Sequence, residues 1–304
     1  MKSTGKKKFV KTLILGLSLI LATFAFGACG NAPGQKVAED ANAGAASEGV
    51  GTPNGKIIIA GSTSVQPLSD VLAEAFEDAN PDVTVDVQGG GSGVGITSIE
   101  QGIADLGSLS REVKEGEKAS VREEYVIAKD GIAVIVNKDV TVADLTMDQL
   151  KGIFTGEIKN WKEVGGADAP IVVVAREEGS GTRGAFNELT GVQAKDASGN
   201  EIDNTVKSAI VQPSTGAVAG AVAGAKNSIG YISLGSLDGS VKAVKVEGVE
   251  ASDPTVIDGS YKLSRPFLYV RGAALSPQAQ AYVDFVFSPA GREIVTGEGY
   301  VSAQ

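Results

Sequence analysis

Arg176 stands four residues ahead of Ser180, inside Arg176-Glu177-Glu178-Gly179-Ser180-Gly181-Thr182-Arg183, and that spacing suits the grip of an anion. The run Ile171-Val172-Val173-Val174 before it reads as a buried strand, and Ala185-Phe186-Asn187-Glu188-Leu189 after it reads as a helix. A tight Gly/Ser/Thr turn between strand and helix aims backbone N–H groups and hydroxyls at one spot, where the helix N-terminus adds partial positive charge. A guanidinium beside that spot can hold the same oxyanion through two parallel hydrogen bonds. The turn alone also fits an ordinary capped helix, because Ser and Thr are common N-caps. Arg176 and two sister turns favour the anion site. Glu178 is placed to orient the guanidinium, or else forms a solvated acidic pair with Glu177.

The sister turns lie earlier in the chain. Lys56-Ile57-Ile58-Ile59-Ala60 reads as a strand feeding Gly61-Ser62-Thr63-Ser64. The helix that follows has Val65, Leu68, Val71, Leu72, Ala75, Phe76 and Ala79 at helical spacing and stops at Asn80-Pro81. Val83, Val85 and Val87 alternate as in a half-buried strand and lead through Gly89-Gly90-Gly91-Ser92-Gly93 to a short helix over Ile96 and Ile99. A short strand is expected at 104–107, then the loop Ser108-Leu109-Ser110-Arg111, in which Arg111 either adds a second positive group or pairs with Glu112. Residues 125–128 and 131–136 make a long β segment, and Thr146 with Gln149 forms a capping box for a helix over 147–154. Further on, helices are expected over 216–226, 277–287 and 289–295, and strands over 231–233 and 267–270. Strands alternate with helices, so the class is α/β. Two domains that each aim helix N-termini into one cleft is the economical arrangement.

Much chemistry is excluded by what the chain lacks. It has no histidine, which removes Ser-His and Cys-His catalysis and histidine-held metals; no metal site or cofactor is expected. Its glycines do not fall in the dinucleotide order, Gly224-Ala225-Lys226 is no Walker loop, no serine sits in a G-x-S-x-G elbow, and no acidic spacing matches a calcium loop. Trp161, the only tryptophan, reads as a packing residue.

The first 28 residues read as a secretory leader: Lys2, Lys6, Lys7, Lys8 and Lys11, then an apolar stretch from Thr12 to Phe26, then small residues before Cys29. This only cysteine, straight after small residues, points to a lipoprotein leader over 1–28 with lipid on Cys29, and a disordered, Ala/Gly/Glu/Asp-rich tether over 29–55. Removing the five leader lysines from 27 basic side chains leaves 22 against 37 acidic, a net charge of −15. That surface argues against nucleic acid and against a basic membrane patch. An anion must then be captured by local dipoles against the global field.

Taken together and in this order, these stretches resemble the phosphate-binding lipoproteins of bacterial phosphate ABC importers (PstS-like). The residues that carry the resemblance are Ala60-Gly61-Ser62-Thr63-Ser64 with Pro67-Leu68, Gly89-Gly90-Gly91-Ser92-Gly93, and Arg176 with Gly179-Ser180-Gly181-Thr182-Arg183. Landmarks outside the site are Ile153-Phe154-Thr155-Gly156, Asn160-Trp161, Ser264-Arg265-Pro266, Ser288-Pro289-Ala290-Gly291 and Glu298-Gly299-Tyr300-Val301. The resemblance implies a type II periplasmic-binding-protein fold of two lobes joined by hinge strands, the first over 56–135 and 235–304 and the second over 136–234. It implies inorganic phosphate as ligand, bound by Thr63, Ser64, Ser92, Ser110, Arg176, Ser180, Gly181 and Thr182. The family places an Asp where this sequence has Ser110, so the basis for telling phosphate from sulfate differs here. It further implies a membrane permease as partner, a monomer on the extracytoplasmic face of the cell membrane, and no catalysis. A receptor for sulfate or molybdate, or an extracellular phosphohydrolase, is the alternative.

Overall fold

Three isoleucines in a row cannot all face water, and in the computed structural model, which describes residues 53–196 and 201–302, they sit in the middle of a sheet. Strand β1 (Gly55–Gly61) buries Ile57 and Ile59 completely and lies between β2 (Val83–Gly89) and β3 (Leu106–Leu109), parallel to both. Helix α1 (Gln66–Ala79) joins β1 to β2 and buries Leu68, Leu72 and Phe76 of the expected stripe with Ala73 beside them, while Val71 and Ala75 are half-buried and Ala79 is exposed. Pro67 falls in its first turn, where a missing N–H is tolerated, and Asn80 with Pro81 ends it. Helix α2 (Ser92–Glu100) joins β2 to β3.

Strand β4 (Glu123–Val136) is the longest of the described strands. The later strands that continue this sheet are β5 (Val172–Arg176), β6 (Ile210–Gln212), β7 (Ser228–Ser233) and β8 (Ser264–Arg271). Their order is β2-β1-β3-β8-β4-β7-β5-β6, with the short strands Lys242–Ala243 and Val301–Ser302 also on β4. The first half of β4, to Gly131, pairs antiparallel with β8, and the second half, from Ile132, pairs antiparallel with β7. One strand thus serves two halves of a curled sheet. The switch comes at Asp130-Gly131-Ile132.

Each half has its own apolar core. The first gathers Ile57, Ile59, Leu68, Phe76, Phe267, Tyr269 and Tyr282. The second gathers Ile132 to Val136, Phe154, Trp161, Val174, Phe186 and Tyr231, with Val241, Val244, Val246, Val256, Tyr261 and Leu263. The segment 241–263, assigned from sequence to the first lobe, therefore packs in the second core, because its valines and Tyr261 find their apolar cover there. The return to the first half falls at Leu263-Ser264, where β8 begins.

Helix α3 (Met147–Thr155) starts in the expected Thr146/Gln149 capping box. Its Phe154 meets Phe186 of α4 (Gly181–Thr190) edge-on at 4.7 Å, and Phe186 stacks on Tyr231 of β7 at 4.2 Å. Phe186 is fully buried, and truncating such a ring to Ala typically costs about 3–5 kcal/mol. This aromatic trio fixes where α4 begins, and so where the turn after β5 presents its N–H groups. Helix α5 (Thr215–Gly224) follows β6, and α6 (Pro277–Val286) and α7 (Pro289–Gly297) cover the first core. The leader over 1–28, Cys29 and the tether up to residue 52 lie outside the described residues.

Candidate functional site

The C-terminal ends of parallel strands are where α/β sheets collect ligands, because the loops there open helices whose N–H groups face the crevice. Here β1, β2, β5 and β6 each end in such a loop, and these open α1, α2, α4 and α5. Val65 and Gly91, the residues that start α1 and α2, provide no side-chain cap. Ser180 and Ser214 cap α4 and α5 by accepting from the N–H groups of Arg183 and Ala217.

The loops close on one another. Ser64 Oγ lies 2.8 Å from Thr182 Oγ1 and 2.9 Å from Thr215 Oγ1, while Thr63 Oγ1 lies 3.3 Å from Thr215 Oγ1. The Gly93 N–H donates to the Gly179 carbonyl at 3.0 Å. Each of these contacts joins a loop of the first half to a loop of the second, so the cleft is shut. Within the first half, Ser62 Oγ donates to Ser110 Oγ at 2.8 Å, and the Ser110 N–H donates to Ser92 Oγ at 3.1 Å. Ser62, Ser64, Ser92, Ser110, Arg176, Ser180 and Thr182 are all buried. The eight residues singled out from sequence, Thr63, Ser64, Ser92, Ser110, Arg176, Ser180, Gly181 and Thr182, lie on these converging loops.

Close approach demands glycine at two places. A Cβ on Gly181 would lie 2.1 Å from Ser92 Oγ across the cleft. Gly61 has φ +141° and would place a Cβ 2.2 Å from the Ser108 carbonyl. Any larger residue at either position pushes the loops apart.

Arg176 ends β5 with its side chain 2 % exposed. Its Nε and Nη2 donate to the two carboxylate oxygens of Glu177 at 2.8 and 2.7 Å, and its Nη1 donates to Thr215 Oγ1 at 3.2 Å. The expectation that Glu178 orients the guanidinium is corrected: the chain turns as it leaves the strand, with the Ser180 N–H on the Glu177 carbonyl, and this brings Glu177 to the fork while Glu178 stays exposed. Arg183 braces the strand end by donating to the Arg176 carbonyl and to Asp203. Burial pushes the Asp203 carboxyl up, but its bonds from Arg183 and Thr205 outweigh this and leave it lowered.

Arg111 is not a second positive group in the cleft, nor does it pair with the Glu112 side chain. It donates to the Glu112 carbonyl and grips both oxygens of Glu117 at 2.7 Å. A groove of about 530 Å³ runs beside it, between 111–117 and Gly184, Glu188 and Glu201. Its acidic lining suits no anion.

Two residues of the site escaped the sequence reading: Ser62 and Thr215. The signal for Thr215 was present, since Pro213-Ser214-Thr215-Gly216 repeats the pattern of strand, Ser/Thr turn and helix. The strand before it, Ile210–Gln212, is three residues long and largely exposed, so its periodicity carries little weight.

A shut cleft between two α/β lobes, with helix N-termini and one buried arginine converging on it, defines a bilobal solute-binding protein. Residues 46–290 accordingly match the PBP superfamily domain. The chain belongs to the PstS phosphate-binding proteins: it is 34 % identical to the phosphate-binding protein PstS of Bacillus subtilis, with 97 % of this chain and 94 % of the relative covered. Among solved structures it is similar to a phosphate ABC transporter substrate-binding protein with bound phosphate from Clostridium perfringens, at 43 % identity and a TM-score of 0.77, over 82 % of this chain and all of the other. An ABC-type phosphate transport receptor from Vibrio cholerae matches at 36 % identity and a TM-score of 0.68, over 81 % of this chain and all of the other.

Proposed function

We propose that this protein captures inorganic phosphate between its two lobes and delivers it to the membrane permease of a phosphate ABC importer. One observation carries this reading: four turns that open helices meet Arg176 in a single buried cleft. Thr63, Ser64, Ser92 and Ser110 supply amides and hydroxyls from the first lobe, and Ser180, Gly181, Thr182 and Arg176 complete the shell from the second. Charge-assisted hydrogen bonds to an anion are about twice as strong as neutral ones, so phosphate displaces the hydroxyl-to-hydroxyl contacts that close the cleft. The charge comes from one arginine and from oriented amides, which is how a chain of net −10, or −15 once the five leader lysines are removed, holds an anion. Only the closed form offers both half-sites at once, so ligand and closure are coupled. Lipid on Cys29 tethers the monomer to the extracytoplasmic face of the membrane. No bond of the ligand is broken, in keeping with a chain without histidine.

Isothermal titration of the mature chain with phosphate tests the assignment, and saturable 1:1 binding is the expected result. Absence of heat and of any thermal stabilisation by millimolar phosphate refutes it. In cells, Cys29→Ala is expected to move the protein from the membrane to the soluble fraction.

A further inference from the structure

Behind the cleft, the end of the chain lies across the lobe crossing. Tyr300 packs in the first core, with its ring centre 5.4 Å from that of Phe267. The next residue, Val301, packs against the second core, while Val301–Ser302 pairs with Lys129 and Ala128 of β4, just ahead of the switch at Asp130-Gly131-Ile132. Among the described residues this is a third passage between the cores, after β4 and Leu263-Ser264.

What Tyr300 meets there is Gly235. This glycine sits in the turn Leu234–Ser236 that follows β7, and Leu234 and Leu237, which flank it, pack against the second core. Its N–H donates to the Asp130 carboxylate, which also accepts from Ser233 and Arg265. A Cβ on Gly235 would lie 2.4 Å from both Cζ and Oη of Tyr300 and 2.6 Å from Cε1. Gly235 is not among the residues with positive φ, so space and not backbone conformation requires glycine here. The ring has little freedom to swing aside: Tyr300 is 5 % exposed and is followed directly by the pairing on β4.

Carbon atoms pack at about 3.5 Å or more, so one methyl at position 235 moves ring and turn apart by about 1 Å. Ring and turn belong to different cores, and they meet where closing lobes must pivot. In front of that pivot the lobes touch through hydrogen bonds at 2.8 Å from Ser64 to Thr182, 2.9 Å from Ser64 to Thr215 and 3.0 Å from Gly93 to Gly179. Such bonds do not survive a stretch of about 1 Å.

We infer that Tyr300, seated on the bare Gly235, is a stop that sets the angle at which the lobes close, so that a contact remote from the ligand loops sets the strength of phosphate capture. This rests on the phosphate reading and adds a means of tuning it.

The test pairs calorimetric titration with phosphate and small-angle scattering of the free and phosphate-saturated protein. Wild type is expected to bind phosphate and to contract on saturation. Gly235→Ala is expected to bind at least about tenfold more weakly, because fewer molecules reach the binding-competent angle, and to contract less. Its urea midpoint stays near wild type, since opening of the lobes relieves the clash. Tyr300→Leu removes Cζ, Oη and Cε1, and in its presence the loss caused by Gly235→Ala is expected to shrink to less than about threefold, as coupled neighbours require. Wild-type affinity and full contraction in Gly235→Ala overturn the inference and leave the phosphate reading standing. So does an undiminished loss in the double variant. A wild-type protein that binds no phosphate overturns both readings. Should Gly235→Ala not fold, Tyr300→Leu decides: without the stop the saturated protein is expected to reach a different radius of gyration, and a wild-type radius with wild-type affinity overturns the inference.

Discussion

Two arginines in this protein are equally hidden, each with a side chain 2 % exposed, yet they are held in opposite ways. Arg265 of β8 pairs with Asp130 of β4, itself 1 % exposed, where β4 passes from one lobe to the other. Asp130 also accepts from Ser233 of β7, and the Arg265 guanidinium lies 5.4 Å from the centre of the Phe267 ring. Burial pushes the Asp130 carboxyl above its ordinary range despite Arg265, and pushes Arg265 below its own. Both shifts have the same cause: two charges taken out of water lose more hydration than their attraction returns. Nη1 of Arg265 has no hydrogen-bond partner among the described residues. Arg176, by contrast, leans on Glu177, which is 28 % exposed, and turns its third nitrogen to a neutral hydroxyl. A hydroxyl can be exchanged for an anionic oxygen at small loss, whereas a sealed carboxylate cannot. The same side chain is a ligand grip in one place and a rivet in the other.

The contrast is broken or sharpened by removing partners one at a time. Arg176→Ala is expected to weaken phosphate binding by about 3–5 kcal/mol, or some hundred- to several-thousandfold, with the midpoint of urea unfolding of the unliganded protein little changed. Retention of wild-type calorimetric affinity by this variant removes Arg176 from the site. Asp130→Ala leaves a buried guanidinium unpaired and is expected to lower unfolding stability by about 3–5 kcal/mol in urea. Replacing both partners by apolar groups, Asp130→Leu with Arg265→Met, is expected to recover most of that loss. If the double variant is no more stable than the single one, the pair is more than a rivet. Thr215→Val keeps the shape of Thr215 but removes the hydroxyl that Arg176, Ser64 and Thr63 share. Phosphate affinity is expected to fall by about 1–2 kcal/mol, with Thr215→Ser close to wild type. Equal affinities for the Val and Ser variants show that Thr215 acts only by filling space.

What the sequence revealed follows from how local each signal is. The turn at 179–182 and its two sisters are legible because strand, turn and helix are consecutive, so spacing locates the turns, and the resemblance then singles out Thr63, Ser64, Ser92, Ser180, Gly181 and Thr182 within them. Ser110 needed the resemblance, since its loop opens no helix. Glu177 and Glu178 could not be ranked, because the outcome depends on a turn that a run of residue types does not encode. Asp130 and Arg265 are 135 residues apart, and nothing in the pattern around either one announces the other. The segment 241–263 went to the wrong core for a related reason. Apolar residues say that a segment is buried, and the sheet decides against what.

Trp161 has a spectroscopic consequence. It is the chain's only tryptophan, 2 % exposed in the second core, with its indole Nε1–H on the Asn227 carbonyl. Intrinsic indole emission of this protein therefore reports on a single site, and that site is none of the loops that meet in the cleft. A red shift of that emission in denaturant reads the melting of the second core alone. Opening and closing of the cleft needs a label placed elsewhere, on a rim residue such as Glu178, where the native emission serves as an internal reference that the second lobe itself stays folded.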